Sequence, residues 1–240
     1  MRILTLNMKM FNLQLDNSLD CFLNEYEPDV AIIQECRSNK NIYHNPIMPN
    51  RFEGKIDARY VITMAFCRNM IWERIDLEDL GKYNRCCVAI KTKENEDPPI
   101  SVLGVHIPAE TDENKKKVEV KDFISEIKES EFDIICGDFN ASSKNTESIN
   151  YKMLIELTKQ KKYSNLWEQG IEDNKAYYID YKGTKQKANK NIRTFAGNTH
   201  IDYILGKEIY LTEIIIDMRT LAFTDHCAII IDCKKTITSK

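Results

Sequence analysis

An α/β fold of two face-packed sheets with helices outside follows from three features of the sequence. Strand-like apolar runs alternate with amphipathic helical stretches from one end of the chain to the other. The strands are too many for one sheet to be covered economically, which favours two sheets packed face to face. No internal repeat and no Gly/Ser/Pro-rich linker divides the 240 residues, so one domain over 1–240 is expected.

Each element has its own signal. Residues 2–8 are an apolar run that turns polar, and 14–27 carry Leu15, Leu19, Phe22, Leu23 and Tyr26 at helical spacing. Pro28 and Asp29 stop that helix, and 30–33 form a buried-strand run ending at Gln34 and Glu35. Strands are expected at 60–67, 86–91 and 100–107, then a charged helix at 112–130 with Val118, Phe123, Ile124 and Ile127 inward. A further apolar run (Phe132, Ile134, Ile135) closes on Gly-Asp-Phe-Asn. A third helix at 146–160 buries Ile149, Met153, Leu154 and Leu157, and strands return at 199–205, 211–217 and 228–233.

The composition, 42% hydrophobic and 30% charged, is that of an ordinary globular protein. The opening MRILTLN turns polar too soon for a secretory segment, and no run approaches the ~18 apolar residues of a membrane span. An intracellular, cytoplasmic protein with no membrane partner is expected, and no obligate protein partner is evident. Eight cysteines without a C-x-x-C pair read as small buried hydrophobes in a reducing compartment. A net charge of -3 and a pI near 5.9 give no global pull toward nucleic acid, so a polyanion would need a local basic patch.

The strand ends carry the chemistry. In an extended segment Asp138 and Asn140 would share a face while Phe139 points to the core, although the segment alone fits a plain turn equally well. Asn7, Glu35, His106, Asp202, Asp225 and His226 also stand at or beside strand ends. Six such ends bearing acids, amides and histidines exceed what turn chemistry explains. Hard oxygen ligands with imidazoles nearby suit Mg²⁺-assisted phosphoryl chemistry. Zinc is disfavoured because the histidines and cysteines lack ligand spacing such as H-E-x-x-H.

The ordered segments LTLNM (4–8), IIQECR (32–37), GVHIP (104–108), GDFNA (137–141), HIDYIL (200–205) and TDHCAI (224–229) resemble the endonuclease/exonuclease/phosphatase superfamily of metal-dependent phosphodiesterases and phosphatases. The resemblance implies a four-layer α/β/β/α sandwich of two mixed sheets flanked by helices. It implies Glu35 as the principal ligand of Mg²⁺, with Mn²⁺ as substitute, helped by Asn7 and Asp225. Asp138 would align or deprotonate the attacking water, with Asn140 fixing that geometry. His226 would contact the scissile phosphate, Asp202 would hold its imidazole, and His106 would stand on the leaving-group side.

QE-x-R at 34–37 together with His106 is similar to the pancreatic deoxyribonuclease branch and argues against the apurinic type. That branch carries a glutamate upstream to back its first histidine, where this chain offers Arg85 as a phosphate ligand or a solvent-facing strand end. The stretch 182–193 holds Lys182, Lys185, Lys187, Lys190 and Arg193 without an acid, which reads as a basic loop gripping a polyanion or as a solvated loop. Arg37 is a candidate for a second phosphate or a groove. DNA is the expected substrate, cleaved by an endonuclease. A small phosphate ester or lipid headgroup, and a non-catalytic nucleic-acid binder, are the alternatives.

Overall fold

The computed structural model describes residues 1–9, 17–37, 47–53, 61–69, 71–76, 86–93, 98–109 and 132–236. In chain order the elements are β1 (Arg2–Asn7), α1 (Ser18–Tyr26), β2 (Val30–Arg37), β3 (Asn50–Glu53), β4 (Val61–Cys67), β5 (Trp72–Arg74), β6 (Cys87–Thr92) and β7 (Ser101–His106). They continue with β8 (Ile134–Asp138), α2 (Ile149–Lys159), β9 (Ser164–Asn165), α3 (Leu166–Glu172), β10 (Ala176–Ile179) and β11 (Lys185–Lys187). The last are β12 (Asp202–Gly206), β13 (Ile209–Asp217), a 3-10 helix (Met218–Ala222) and β14 (Ala228–Lys235).

The strands form two mixed sheets. One has eight strands in the order β11-β10-β13-β14-β1-β2-β4-β3, the other six in the order β5-β6-β7-β8-β12-β9. Strand alternation sorts their side chains into layers. Ile3, Val30 and Ile32 of the first sheet meet Val88, Val102, Ile134 and Ile204 of the second in the central core. Leu4, Leu6, Ala31 and Ile33 face the other way, onto Leu19, Phe22 and Leu23 of α1. Leu103, Val105 and Ile135 face outward onto Met153, Leu154 and Leu157 of α2. This is the expected α/β/β/α sandwich. Its sheets approach so closely that a Cβ on Gly104 would stand 2.4 Å from the Ile32 side chain.

Several expectations change. β2 runs on to Arg37 instead of stopping at Gln34 and Glu35, because a bulge between Ile33 and Cys36 absorbs the polar pair. The 182–193 stretch is not all loop: β11 pairs with β10 as a sheet edge. The strand expected at 199–205 begins only at Asp202, since Thr199 is bridged to Phe195. Asn150, rather than the half-buried Ile149, occupies the buried position at the start of α2, behind a Ser148 side chain that accepts the Tyr151 N–H. The helix expected at 112–130 lies outside the described residues. β3, β5, β9, β10 and α3 had no sequence signal, being two to seven residues long.

All eight cysteines are free and seven are buried. Burial pushes the Cys36, Cys67 and Cys136 thiols well above their usual range, so they pack as hydrophobes. Among the described residues no helix is long and apolar enough to cross a membrane.

Candidate active site

Strand direction brings the chemistry to one edge of the sandwich. β1 and β2 are parallel neighbours with Asn7 beside Gln34, and β14 runs antiparallel to β1, so Asp225 and His226 precede it at the same edge. In the second sheet, parallel β7 and antiparallel β12 put His106 and Asp202 on either side of Asp138. The ends of both sheets therefore open onto one cleft.

Local backbone devices aim these groups. In the β2 bulge Glu35 takes a left-handed φ of 54°, which turns its carboxylate toward Asn7. Gly137 precedes Asp138 with φ 140°, and a Cβ there would lie 1.9 Å from the Val105 carbonyl oxygen. Only glycine fits. β8 ends at Asp138, and Asn140 is left-handed with φ 47°. Asn140 therefore does not share the Asp138 face as an extended strand would require. Its N–H donates to Asp138 Oδ1 at 2.8 Å, and its Nδ2 donates to the Ile107 carbonyl at 2.8 Å. Phe139 is fully buried, as expected.

The side chains form one connected set. Asn7 Nδ2 donates to Asp138 Oδ2 at 2.9 Å and to Glu35 Oε1 at 3.2 Å. His106 Nε2 lies 3.5 Å from Glu35 Oε1 and 3.9 Å from Asp138 Oδ2. His226 Nδ1 stands 3.0 Å from both Asp202 oxygens, and its Nε2 faces Asp138 Oδ2 at 3.9 Å and Asp225 Oδ1 at 3.8 Å. Since Asp202 can only accept when ionised, the bond fixes the proton on Nδ1.

Burial sets the protonation states. Asp138 is 2% exposed, and desolvation together with the Asp202 charge raises its pKa, against the pull of His226, the Asn140 N–H and the Asn7 amide. For His226 burial opposes the charge, but Asp202, then Asp138 and Asp225, outweigh it and lift the imidazole to about 9. The geometry favours an imidazolium clamped between carboxylates.

Two carboxylates could hold a hard cation. Glu35 and Asp225 side chains are each 20% exposed at the cleft. Asp225 Oδ1 is buried without a hydrogen-bond partner, while its Oδ2 takes the Lys9 ammonium at 2.8 Å. A carboxylate oxygen without a hydrogen-bond partner, 3.8 Å from His226 Nε2, has the hard-oxygen chemistry that a divalent cation takes. Ligand atoms of Asp138, Asp202 and His226 also cluster within 4.8 Å. That trio is spent on internal bonds and is almost solvent-free, so it suits proton handling better than a hydrated Mg²⁺. Asn7 turns its NH₂ to the Asp138 and Glu35 carboxylates and its Oδ1 to the Lys9 N–H at 2.8 Å, so both ends of the amide are engaged at the cleft.

The lysine candidates stand elsewhere. Lys185 pairs with Glu213 at 2.6 Å, and Lys187 lies 4.1 Å over the Tyr177 ring, both on a strand four places from β1. Lys190 lines a separate cavity, and Arg193 bonds the Tyr181 hydroxyl. Arg37 ends β2, two residues beyond Glu35, and Arg85 lies outside the described residues. Four supporting residues escaped sequence reasoning. Thr194 Oγ1 accepts the Asp202 N–H, Thr224 Oγ1 donates to the Asn7 carbonyl, Asn150 Nδ2 donates to the Phe139 carbonyl, and the Phe195 ring packs 4.9 Å from His226. Nothing in their local sequence distinguishes them from turn and cap residues.

No family model and no curated protein matches the chain. Solved structures do. The fold is similar to the 3' phosphatase NExo from Neisseria bound to product DNA hairpin, with TM-score 0.66 and 16% identity over 98% of this chain and 99% of that one. It is similar to an AP endonuclease from Archaeoglobus fulgidus, at 0.67 and 15% over 97% and 98%. An endonuclease/exonuclease/phosphatase family protein from Leptotrichia buccalis aligns at 0.59 and 14% over 98% and 99%. The chain thus has the fold of the endonuclease/exonuclease/phosphatase superfamily, a fold shared by nucleases and phosphatases. At these identities the likeness concerns the fold, and the branch must be argued from the residues.

Proposed function

We propose that the protein is a Mg²⁺-dependent phosphodiesterase, specifically a DNA endonuclease acting by in-line attack of water. The observation that carries this reading is the His226 imidazole, held by Asp202 at 3.0 Å with Nε2 aimed at the Asp138 carboxylate across 3.9 Å. Such a pair offers a charged donor for phosphate and an acceptor for a water proton in one cleft.

Asp138, ionised opposite the His226 imidazolium and made a stronger base by its raised pKa, takes the proton of the attacking water, and the Asn140 N–H holds its other oxygen. His226 donates from Nε2 to a phosphate oxygen and is steadied by Asp202 as negative charge builds. His106 faces the leaving group. Glu35 and Asp225, braced by Asn7, hold a divalent cation, which when bound neutralises phosphate charge. Arg193 contacts a flanking backbone phosphate, with the Lys185–Lys190 stretch farther out. The unpaired thiols support a reducing, cytoplasmic setting.

The test is a time course on circular plasmid DNA with Mg²⁺ and with EDTA, alongside Glu35→Ala. Nicking that needs both metal and Glu35 supports the proposal. An intact plasmid throughout, with turnover of a small phosphate ester, moves the reading to a phosphatase. The engagement of Lys185 and Lys187 by Glu213 and Tyr177, away from the cleft, favours that second reading.

A further inference from the structure

At the cleft end of β1 a lysine stands on one of the two carboxylates assigned to a divalent cation. Lys9 Nζ lies 2.8 Å from Asp225 Oδ2, and the Glu35 charge acts on the same ammonium in the same sense. The backbone sets up this contact. Met8 is 1% exposed and its N–H donates to the Gln34 carbonyl at 3.0 Å, while the Lys9 N–H donates to Asn7 Oδ1 at 2.8 Å. Lys9 takes a left-handed φ of 49°, which ends the extended run. On the other side, Thr224 Oγ1 donates to the Asn7 carbonyl at 2.7 Å and the Ala196 N–H to the Asp225 carbonyl at 2.8 Å. The roots of both side chains are therefore tied to one strand end, while the Lys9 side chain itself is 65% exposed.

The two Asp225 oxygens are not equivalent. Oδ1 is closed to solvent and faces His226 Nε2 at 3.8 Å. An ion arriving from solvent therefore meets Oδ2 first, and Oδ2 carries the Lys9 ammonium. A dication and an ammonium sharing one carboxylate oxygen would stand about 4 Å apart and repel with twice the unit-charge interaction at that distance. That repulsion exceeds what an exposed ion pair contributes. The more weakly held of the two must leave, and the ammonium, on a long exposed stem, is the one free to move.

We propose that Lys9 is a tethered competitor of the divalent cation: its ammonium occupies Asp225 Oδ2 and must swing into solvent before the ion can take that oxygen, so Lys9 lowers the metal affinity of the cleft. This inference rests on the assignment of Asp225 to the cation.

The experiment is calorimetric titration of the full chain with Mg²⁺ and with Mn²⁺, at one pH and ionic strength, in the wild type, Lys9→Met, Lys9→Arg, Asp225→Asn and the Lys9→Met/Asp225→Asn double variant. Lys9→Met keeps most of the stem, removes the charge and changes only an exposed side chain. It should bind the ion about fivefold tighter than the wild type, and Lys9→Arg no tighter than the wild type. Asp225→Asn should weaken binding and erase the gain from Lys9→Met, because the oxygen the two cations contest has lost its charge. A gain that persists in the double variant overturns the inference, by showing that the lysine acts through its distant charge alone. Unchanged affinity in Lys9→Met, with binding still dependent on Asp225, also overturns it and leaves the metal assignment standing. If no form takes up either ion at millimolar concentration, or if Asp225→Asn binds as the wild type does, the metal assignment falls and this inference falls with it.

Discussion

The carboxylate edge of the sandwich and the lysine-rich β10–β11 edge are comparably charged in sequence and opposite in physics. At the first, Asp138, Asp202 and His226 are at most 5% exposed and each is tied to a partner on another strand. At the second, Lys185 and Lys187 are exposed and lie over a single tyrosine ring, with Glu213 as counter-charge. Desolvation lets the buried charges shift one another's proton affinity, whereas water screens the exposed ones to about 0–1 kcal/mol per pair. The proposed chemistry therefore belongs to the first edge, and the second would contribute adhesion at most.

Substitutions should separate the two edges by orders of magnitude. The largest effect is expected from Asp138→Asn, about a thousandfold or more in kcat on a phosphodiester substrate, because the proton acceptor is gone while the shape remains. Glu35→Ala should match it in kcat and also abolish any rise in melting temperature on adding Mg²⁺, readable by differential scanning calorimetry.

Asp202→Asn comes next, about a hundredfold or more in kcat through loss of imidazole orientation. It has a second signature. The folded His226 pKa, about 9, lies above its unfolded value near 6.5, so its contribution to stability is complete below 6.5 and is lost as pH rises through 9. Asp138, also raised, acts with the same sign. In EDTA the melting temperature should fall from pH 6.5 to 9, and Asp202→Asn should flatten that slope. A slope unchanged by the substitution would break the assigned pair.

Gly137→Ala tests the backbone behind the buried edge. With the new Cβ 1.9 Å from a carbonyl oxygen and φ at 140°, a loss of about 3 kcal/mol or more is expected in urea unfolding. The smallest effects belong to the other edge. Lys185→Ala and Lys187→Ala should each change stability by about 0.5 kcal/mol or less, with less than a threefold change in KM for DNA. A larger rise in KM, erased by added salt, would show that the lysine edge grips the substrate after all.

Much of the fold was legible because it rests on period and order. The runs of β1, β2, β7, β8 and β14 and the helical spacing of α1 and α2 each carry enough residues to show their period. Strands as short as β9 and β11 carry none, and they exist because a neighbour offers unpaired backbone groups. The site was partly legible, since Asn7, Glu35, His106, Asp138, Asp202, Asp225 and His226 all end on one edge. The direction in which Asn7 donates, the left-handed turn at Asn140, and the bracing by Thr194, Thr224 and Asn150 were not. Each depends on a partner far away in sequence: Asn7 meets Asp138 across 131 positions.

By itself the sequence determined which residue types close the apolar strands and in what order, and that order, set by hydrophobic period and turn chemistry, is a local property. The tertiary structure alone decided which of those ends meet, that Glu35 turns inward through a bulge, and that Asp138 and His226 are stripped of water. Desolvation and pairing are non-local, because a carboxylate acquires its proton affinity from whatever the rest of the chain packs around it.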